Sequence, residues 1–135
     1  MTKKIVLWIL VILWMGLIFY FSSQNADKST SQSRGIILST NLINKYEENK
    51  EEVLETADVY FRKAAHASVF FVLSILVCFL VKEYTLDIKK ILIISVIICL
   101  LYSCSDEIHQ LYVFGRSGEV RDIIIDNIGC IFGYL

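Results

Sequence analysis

The sequence predicts an all-α protein: a polytopic membrane bundle of about four transmembrane helices with an amphipathic helix on its outer side. Three observations predict it. Apolar residues make up 56 % of the 135-residue chain, above the roughly 45–50 % of ordinary soluble domains, and mean hydropathy is +0.59. The excess is gathered into four blocks. Proline is absent, so no block is interrupted by a residue that breaks helices. This composition argues against a soluble enzyme. The 14 acidic and 13 basic residues leave a formal charge of −1, which lacks the electrostatic footprint of a nucleic-acid binder, and no nucleic-acid partner is expected. The length leaves room for a single domain, residues 1–135.

The first block, Ile5 to Phe21, runs 17 residues without a charge, the lower limit for a membrane-crossing helix. Lys3 and Lys4 precede it as in a signal peptide, but the run exceeds the apolar core of one. Phe19-Tyr20-Phe21-Ser22-Ser23 also lacks the small-x-small cleavage pattern, so a retained helix near 5–21 is expected. The second block, Ala64 to Val81, is 18 residues with one ionisable group, His66. The third, Ile91 to Cys104, continues into Ser105-Asp106-Glu107-Ile108-His109-Gln110 with no proline or glycine to stop it, so helix is expected over 91–110. The fourth, Ile123 to Leu135, has 13 residues, about 20 Å of helix, too short for a ~30 Å hydrocarbon core. Either it begins near Glu119 or the chain is a piece of a longer one.

Between the first two blocks, Ser22 to Ser33 is a polar run that reads as loop. Leu42, Ile43, Tyr46, Val53, Leu54, Ala57, Tyr60 and Phe61 then recur at three- and four-residue spacing, with acids and lysine in the gaps. An amphipathic outer segment over 34–61 is expected, lying on the bundle or the lipid surface, or serving as a substrate lid. Cys78, Cys99, Cys104 and Cys130 sit within the apolar blocks with no C-x-x-C pair and read as small buried hydrophobes.

Lysine and arginine distribution sets the orientation. A cytoplasmic N-terminus puts residues 1–4 and 82–90 inside with five bases in 13 positions, and the two outer segments outside with eight bases in 60. That density favours a multi-pass cell-membrane protein with its N-terminus in the cytoplasm. The outer ends of the four helices then carry every polar cluster: Ser22-Ser23-Gln24, Arg62 to His66, Ser105 to Gln110, and Arg116 to Asn127. Ionisable groups at membrane depth are expensive and point to function. Helical spacing gives each cluster one face: Arg62 and His66 four apart; Asp106, His109 and Gln110 at i, i+3 and i+4; Asp122 and Asp126 four apart, continued by Gly129 and Gly133. The glycine step allows close approach of a neighbouring helix.

Phe21-Ser22-Ser23-Gln24, Arg62-Lys63 with His66, Asp106-Glu107-x-His109-Gln110, and Gly115-Arg116 with Gly118, Asp122, Asn127 and Gly129 resemble the signature blocks of the VanZ-like family of bacterial membrane proteins. The resemblance runs from the first helix to the fourth, in order. It implies a role at the cell envelope linked to antibiotic resistance, since the family takes its name from a glycopeptide resistance cluster whose member lowers sensitivity to teicoplanin. Carried over position by position, it points to Arg62, His66, Asp106, Glu107, His109, Gln110, Arg116, Asp122 and Asn127.

The residue types allow two chemistries at an outward-facing site. His66, Asp106, Glu107, His109 and Asp122 suit general acid and base work, with His109 oriented by Asp106, or a divalent metal. Arg62 and Arg116, with Gln110, Ser23, Gln24 and Asn127, suit the holding of a phosphate. A lipid-linked cell-wall precursor or a phospholipid headgroup is the expected partner, beside membrane lipid itself. Two other readings use the same residues: a transporter with a proton relay, and a non-catalytic membrane subunit that joins its partner through the glycine face. A further alternative is that Arg62, Arg116, Asp106, Glu107, Asp122 and Asp126 merely pair to neutralise one another and lock the bundle.

Overall fold

The computed structural model describes residues 2–24, 26–39, 50–113 and 120–134, and among them every regular element is a helix. Five helices follow in order: α1 (Thr2–Ser22), α2 (Ala26–Ser39), α3 (Lys50–Lys82), α4 (Ile88–Gln110) and α5 (Val120–Tyr134). The fold is the all-helical bundle the sequence predicts. Helices α1, α3 and α4 are each long and apolar enough to cross a membrane. At 15 residues, α5 spans only about 22 Å.

Helix α3 is the axis of the molecule and packs against each of the other four. Its inward stripe of Phe70, Leu73, Val77 and Leu80 recurs at helical spacing and is buried against Val11 and Ile18 of α1, Ile91 and Cys99 of α4, and Cys130 of α5. All four cysteines are free, with Cys99 and Cys130 buried. Two hydrogen bonds tie α1 into the bundle: Trp14 Nε1 donates to the Val69 carbonyl at 2.9 Å, and Tyr102 Oη to the Met15 carbonyl at 2.5 Å. The outer surface is apolar. Ile12 and Leu13 on α1, Ile93 and Leu101 on α4, and Ile131 and Phe132 on α5 are exposed, a belt that water tolerates poorly and lipid accommodates.

Helix α5 lies closest to α3, and glycine is the reason. A Cβ on Gly129 would run into the Ala67 carbonyl oxygen, and one on Gly133 into Ser74 Oγ and the Phe71 carbonyl oxygen. The two glycines therefore face α3 backbone to backbone. This matters in lipid, where apolar surface gains little by leaving hydrocarbon and helix association rests on close packing.

One end of the bundle is fixed by the turn between α3 and α4. Asp87 caps α4, its Oδ1 accepting from the Lys89 and Lys90 amides at 3.0 and 3.5 Å. Lys3 pairs with Glu83 at 2.6 Å, Trp8 Nε1 donates to Tyr84 Oη at 2.8 Å, and Lys4 lies over the Tyr84 ring. The hydrogen bond from Lys3 holds the Glu83 carboxyl below its ordinary value. The start of α1 and the α3–α4 turn thus share an end, rich in lysine and aromatic residues.

Two expectations about the segment before Ala64 are corrected. The polar run over 22–33, read as loop, is largely helix: α2 begins at Ala26. Serine and asparagine favour turns because their side chains compete for the backbone, but here Ser33 and Ile37 fall one turn apart and are both buried, and the packing face overrides the preference. The amphipathic segment over 34–61 is not one helix of its own. Residues 34–39 end α2, residues 50–61 are the first turns of α3 and run without a break into the apolar span, and residues 40–49, with Leu42, Ile43 and Tyr46, lie outside the described residues. Nothing between Lys50 and Lys82 can stop a helix, since the stretch holds neither glycine nor proline. Its buried face is Leu54 and Asp58, while Tyr60 is 71 % exposed.

Candidate functional site

The end of the bundle opposite the lysine-rich turn holds a cavity of about 630 Å³. Every helix contributes. α1 brings Ile18 and Phe21, with Gln24 just beyond it. α2 brings Gln32, Ser33 and Ile36. α3 brings Val59, Phe61, Arg62, Lys63, Ala65, His66 and Val69, α4 its last residue Gln110, and α5 Arg121, Asp122, Ile125 and Asp126. Along α3 the polar and apolar walls meet at a sharp boundary. Arg62 and Lys63 immediately precede Ala64, where an 18-residue apolar stretch begins, about 27 Å of helix. The cavity therefore lies where a membrane's hydrocarbon core would give way to its polar face.

The charged groups are arranged in pairs. Lys63 Nζ meets Asp122 Oδ1 at 2.7 Å, both about one quarter exposed. Arg62 reaches Asp58 Oδ2 at 3.4 Å, and Asp58, 3 % exposed, also accepts a hydrogen bond from Ser33 Oγ of α2. At the floor, Asp126 is fully buried. Its Oδ1 stands 3.6 Å from His66 Nδ1, and its Oδ2 accepts from Ser103 Oγ of α4 at 3.2 Å. An unpaired ion here would cost a few kcal/mol, about 2.5–3.5 on insertion scales, and these contacts are what offset it. Arg121 has no ion pair among the described residues.

Of the residues singled out in the sequence, Arg62, His66, Asp122, Gln110 and Gln24 line this cavity. Others stand aside. Asp106 and Glu107 are buried one layer behind, where Gln110 Nε2 donates to Asp106 Oδ2 at 3.0 Å and to Glu107 Oε1 at 3.3 Å. His109 stacks on Phe19 of α1, with ring centroids 4.1 Å apart. Ser23 Oγ bonds the Tyr20 carbonyl, and Asn127 Nδ2 the Ile123 carbonyl of its own helix. Arg116 lies outside the described residues. His109 and Asp106 face different partners, so no His109–Asp106 dyad is formed. Among the described residues no three His, Cys, Asp or Glu side chains gather as metal ligands.

Sequence reasoning did not place Asp58, Lys63 and Arg121 among the candidates. Asp58 had a signal: it precedes Arg62 by four, the spacing that joined Arg62 to His66, so all three share one face of α3. Lys63 and Arg121 stood within the polar clusters Arg62 to His66 and Arg116 to Asn127, but their part in the cavity depends on how α5 lies against α3. What the arrangement can do follows from its parts. It offers the Arg121 guanidinium, which has no carboxylate partner among the described residues, a hydrogen-bonding floor, and an apolar flank of Ile18, Phe21, Val69 and Ile125.

Among curated proteins and among solved structures nothing matches the chain significantly. The family model described as VanZ/LLP1 matches residues 7–135, a stretch that takes in all of the cavity wall, and the chain belongs to the VanZ/LLP1 family.

Proposed function

We propose that the protein is a multi-pass protein of the bacterial cell membrane, N-terminus in the cytoplasm, whose outward-facing cavity binds a phosphate-bearing lipid of the cell envelope. The observation that carries this reading is the boundary within the cavity: two arginines beside an apolar flank at the level where headgroups lie. An amphiphile needs both. Arginine supplies a planar fork that holds phosphate through paired hydrogen bonds, and the flank accepts a hydrocarbon chain. The lysine-rich opposite end supports a cytoplasmic placement of the N-terminus.

Binding fits the geometry better than turnover does. Within the cavity Asp122 is held by Lys63, which leaves His66 with Asp126 for proton transfer, whereas His109, Asp106 and Glu107 are engaged elsewhere. Membership of the VanZ/LLP1 family supports a link to glycopeptide resistance, and altered teicoplanin tolerance is the cellular effect this reading expects. The test is thermal stability of the detergent-solubilised protein, titrated with short-chain phosphatidic acid, phosphatidylglycerol, or dioctanoylglycerol of equal chain length. A ligand that binds the folded state raises the melting temperature. At least one phosphate-bearing lipid should do so, the neutral glyceride should not, and the double variant Arg62→Gln/Arg121→Gln should lose the effect. Equal stabilisation by dioctanoylglycerol would remove the phosphate from the account.

A further inference from the structure

The cavity's charges are not equally available. Lys63 is held by Asp122, Arg62 by Asp58, and Asp126 by His66 and Ser103, which leaves Arg121 on the rim as the cation with no carboxylate partner among the described residues. A ligand with one negative charge can be received by Arg121 with every existing pair intact. A ligand with two must draw on a second cation, and so must break Lys63 from Asp122 or Arg62 from Asp58 and leave a carboxylate at the edge of hydrocarbon. A zwitterion meets the converse obstacle, because its ammonium finds both acids on the wall already engaged. Geometry adds a second argument. A phosphodiester presents two non-bridging oxygens that share one charge, and a single guanidinium fork matches them.

Building on the reading of the cavity as an envelope-lipid site, we propose that it selects lipids with a singly charged phosphodiester headgroup, and that Arg121 is the specificity-determining residue. Ile18, Phe21, Val69 and Ile125 seat the acyl chain, so the headgroup alone is a poor ligand. Gln24, Gln32 and Gln110 on the cavity wall offer neutral donors and acceptors to an uncharged polar headgroup beyond the phosphate.

The test measures dissociation constants by calorimetry in detergent at mildly alkaline pH, where a phosphomonoester carries close to two charges. The probes are short-chain phosphatidylglycerol, phosphatidic acid, phosphatidylethanolamine and the chain-free diester glycerophosphoglycerol. Phosphatidylglycerol should bind tightest, and glycerophosphoglycerol at least about tenfold more weakly. In Arg121→Gln the affinity for phosphatidylglycerol should fall about tenfold or more, the scale of a charge-assisted hydrogen-bonded pair, and Arg121→Lys should recover part of it. Arg121 is exposed and has no ion pair among the described residues, so both variants should fold and melt like the parent without ligand. Lys89→Gln at the opposite end should bind as the parent does. Tighter binding of phosphatidic acid or phosphatidylethanolamine, or an unchanged constant in Arg121→Gln, overturns the selectivity while leaving a lipid site in place. If glycerophosphoglycerol matches the lipid, the ligand is a free phosphodiester. If none of the four binds, the lipid-site reading itself fails.

Discussion

Asp126 is the residue on which the floor of the cavity turns. It is fully buried in a helix otherwise rich in isoleucine, and its two oxygens are divided between His66 of α3 and Ser103 of α4. One side chain thereby joins three helices. Removing His66 leaves the carboxylate with the serine hydroxyl alone, and the cost of an under-satisfied buried polar group is about 1–3 kcal/mol. His66→Ala should therefore lower stability by that order. In an Asp126→Asn background, where no charge needs a partner, the same substitution should cost less than half as much. A double-mutant cycle by thermal unfolding in detergent measures the difference. Equal losses in the two backgrounds would mean that His66 and Asp126 are neighbours without coupling.

The helices differ in how much of their role the chain reveals. Helix α4 reads directly. An apolar run passes into polar residues with no breaker, and the structure carries helix to Gln110. Helix α5 is legible in its glycines: the spacing of Gly129 and Gly133 points to close packing, and α3 is the partner. Gly133→Leu should force Ser74 and the Phe71 carbonyl away and cost about 1–3 kcal/mol, as overfilling a tight contact does. An unchanged melting temperature in detergent would show that α5 does not rest on α3 through this face. Helix α2 is hidden in the sequence, because its serines, threonine and aspartate carry turn preferences and the reason it is helical lies outside its own sequence. Among the described residues it packs against α3 alone, held by Ile37 on Leu54 and by the Ser33–Asp58 hydrogen bond. The same helix walls the cavity with Gln32, Ser33 and Ile36. Asp58 thus serves two ends at once, fixing α2 and restraining Arg62.

For the molecule as a whole, the convergence of polar clusters at one end follows from connectivity. Successive long helices that alternate direction bring the end of α1, the polar stretch of α3, the end of α4 and the start of α5 together. The sequence shows which residues reach that end. It does not show which of them look into a common space, because that depends on helix rotation, and a rotation of part of a turn sends His109 to Phe19 and brings Arg121 to the rim. On the proposed reading this space opens to the outside of the cell, with the lysine-rich end within. Cysteine accessibility in intact cells tests it most directly. Single cysteines are placed at Gln32 on the cavity wall and at Asp87 in the α3–α4 turn, with the parent chain as the background for its own thiols, and all are exposed to a membrane-impermeant maleimide. Position 32 should label in intact cells, and position 87 only after permeabilisation. Labelling of position 87 in intact cells with position 32 protected would contradict it, since a cavity facing the cytoplasm could not receive an outer-leaflet envelope lipid.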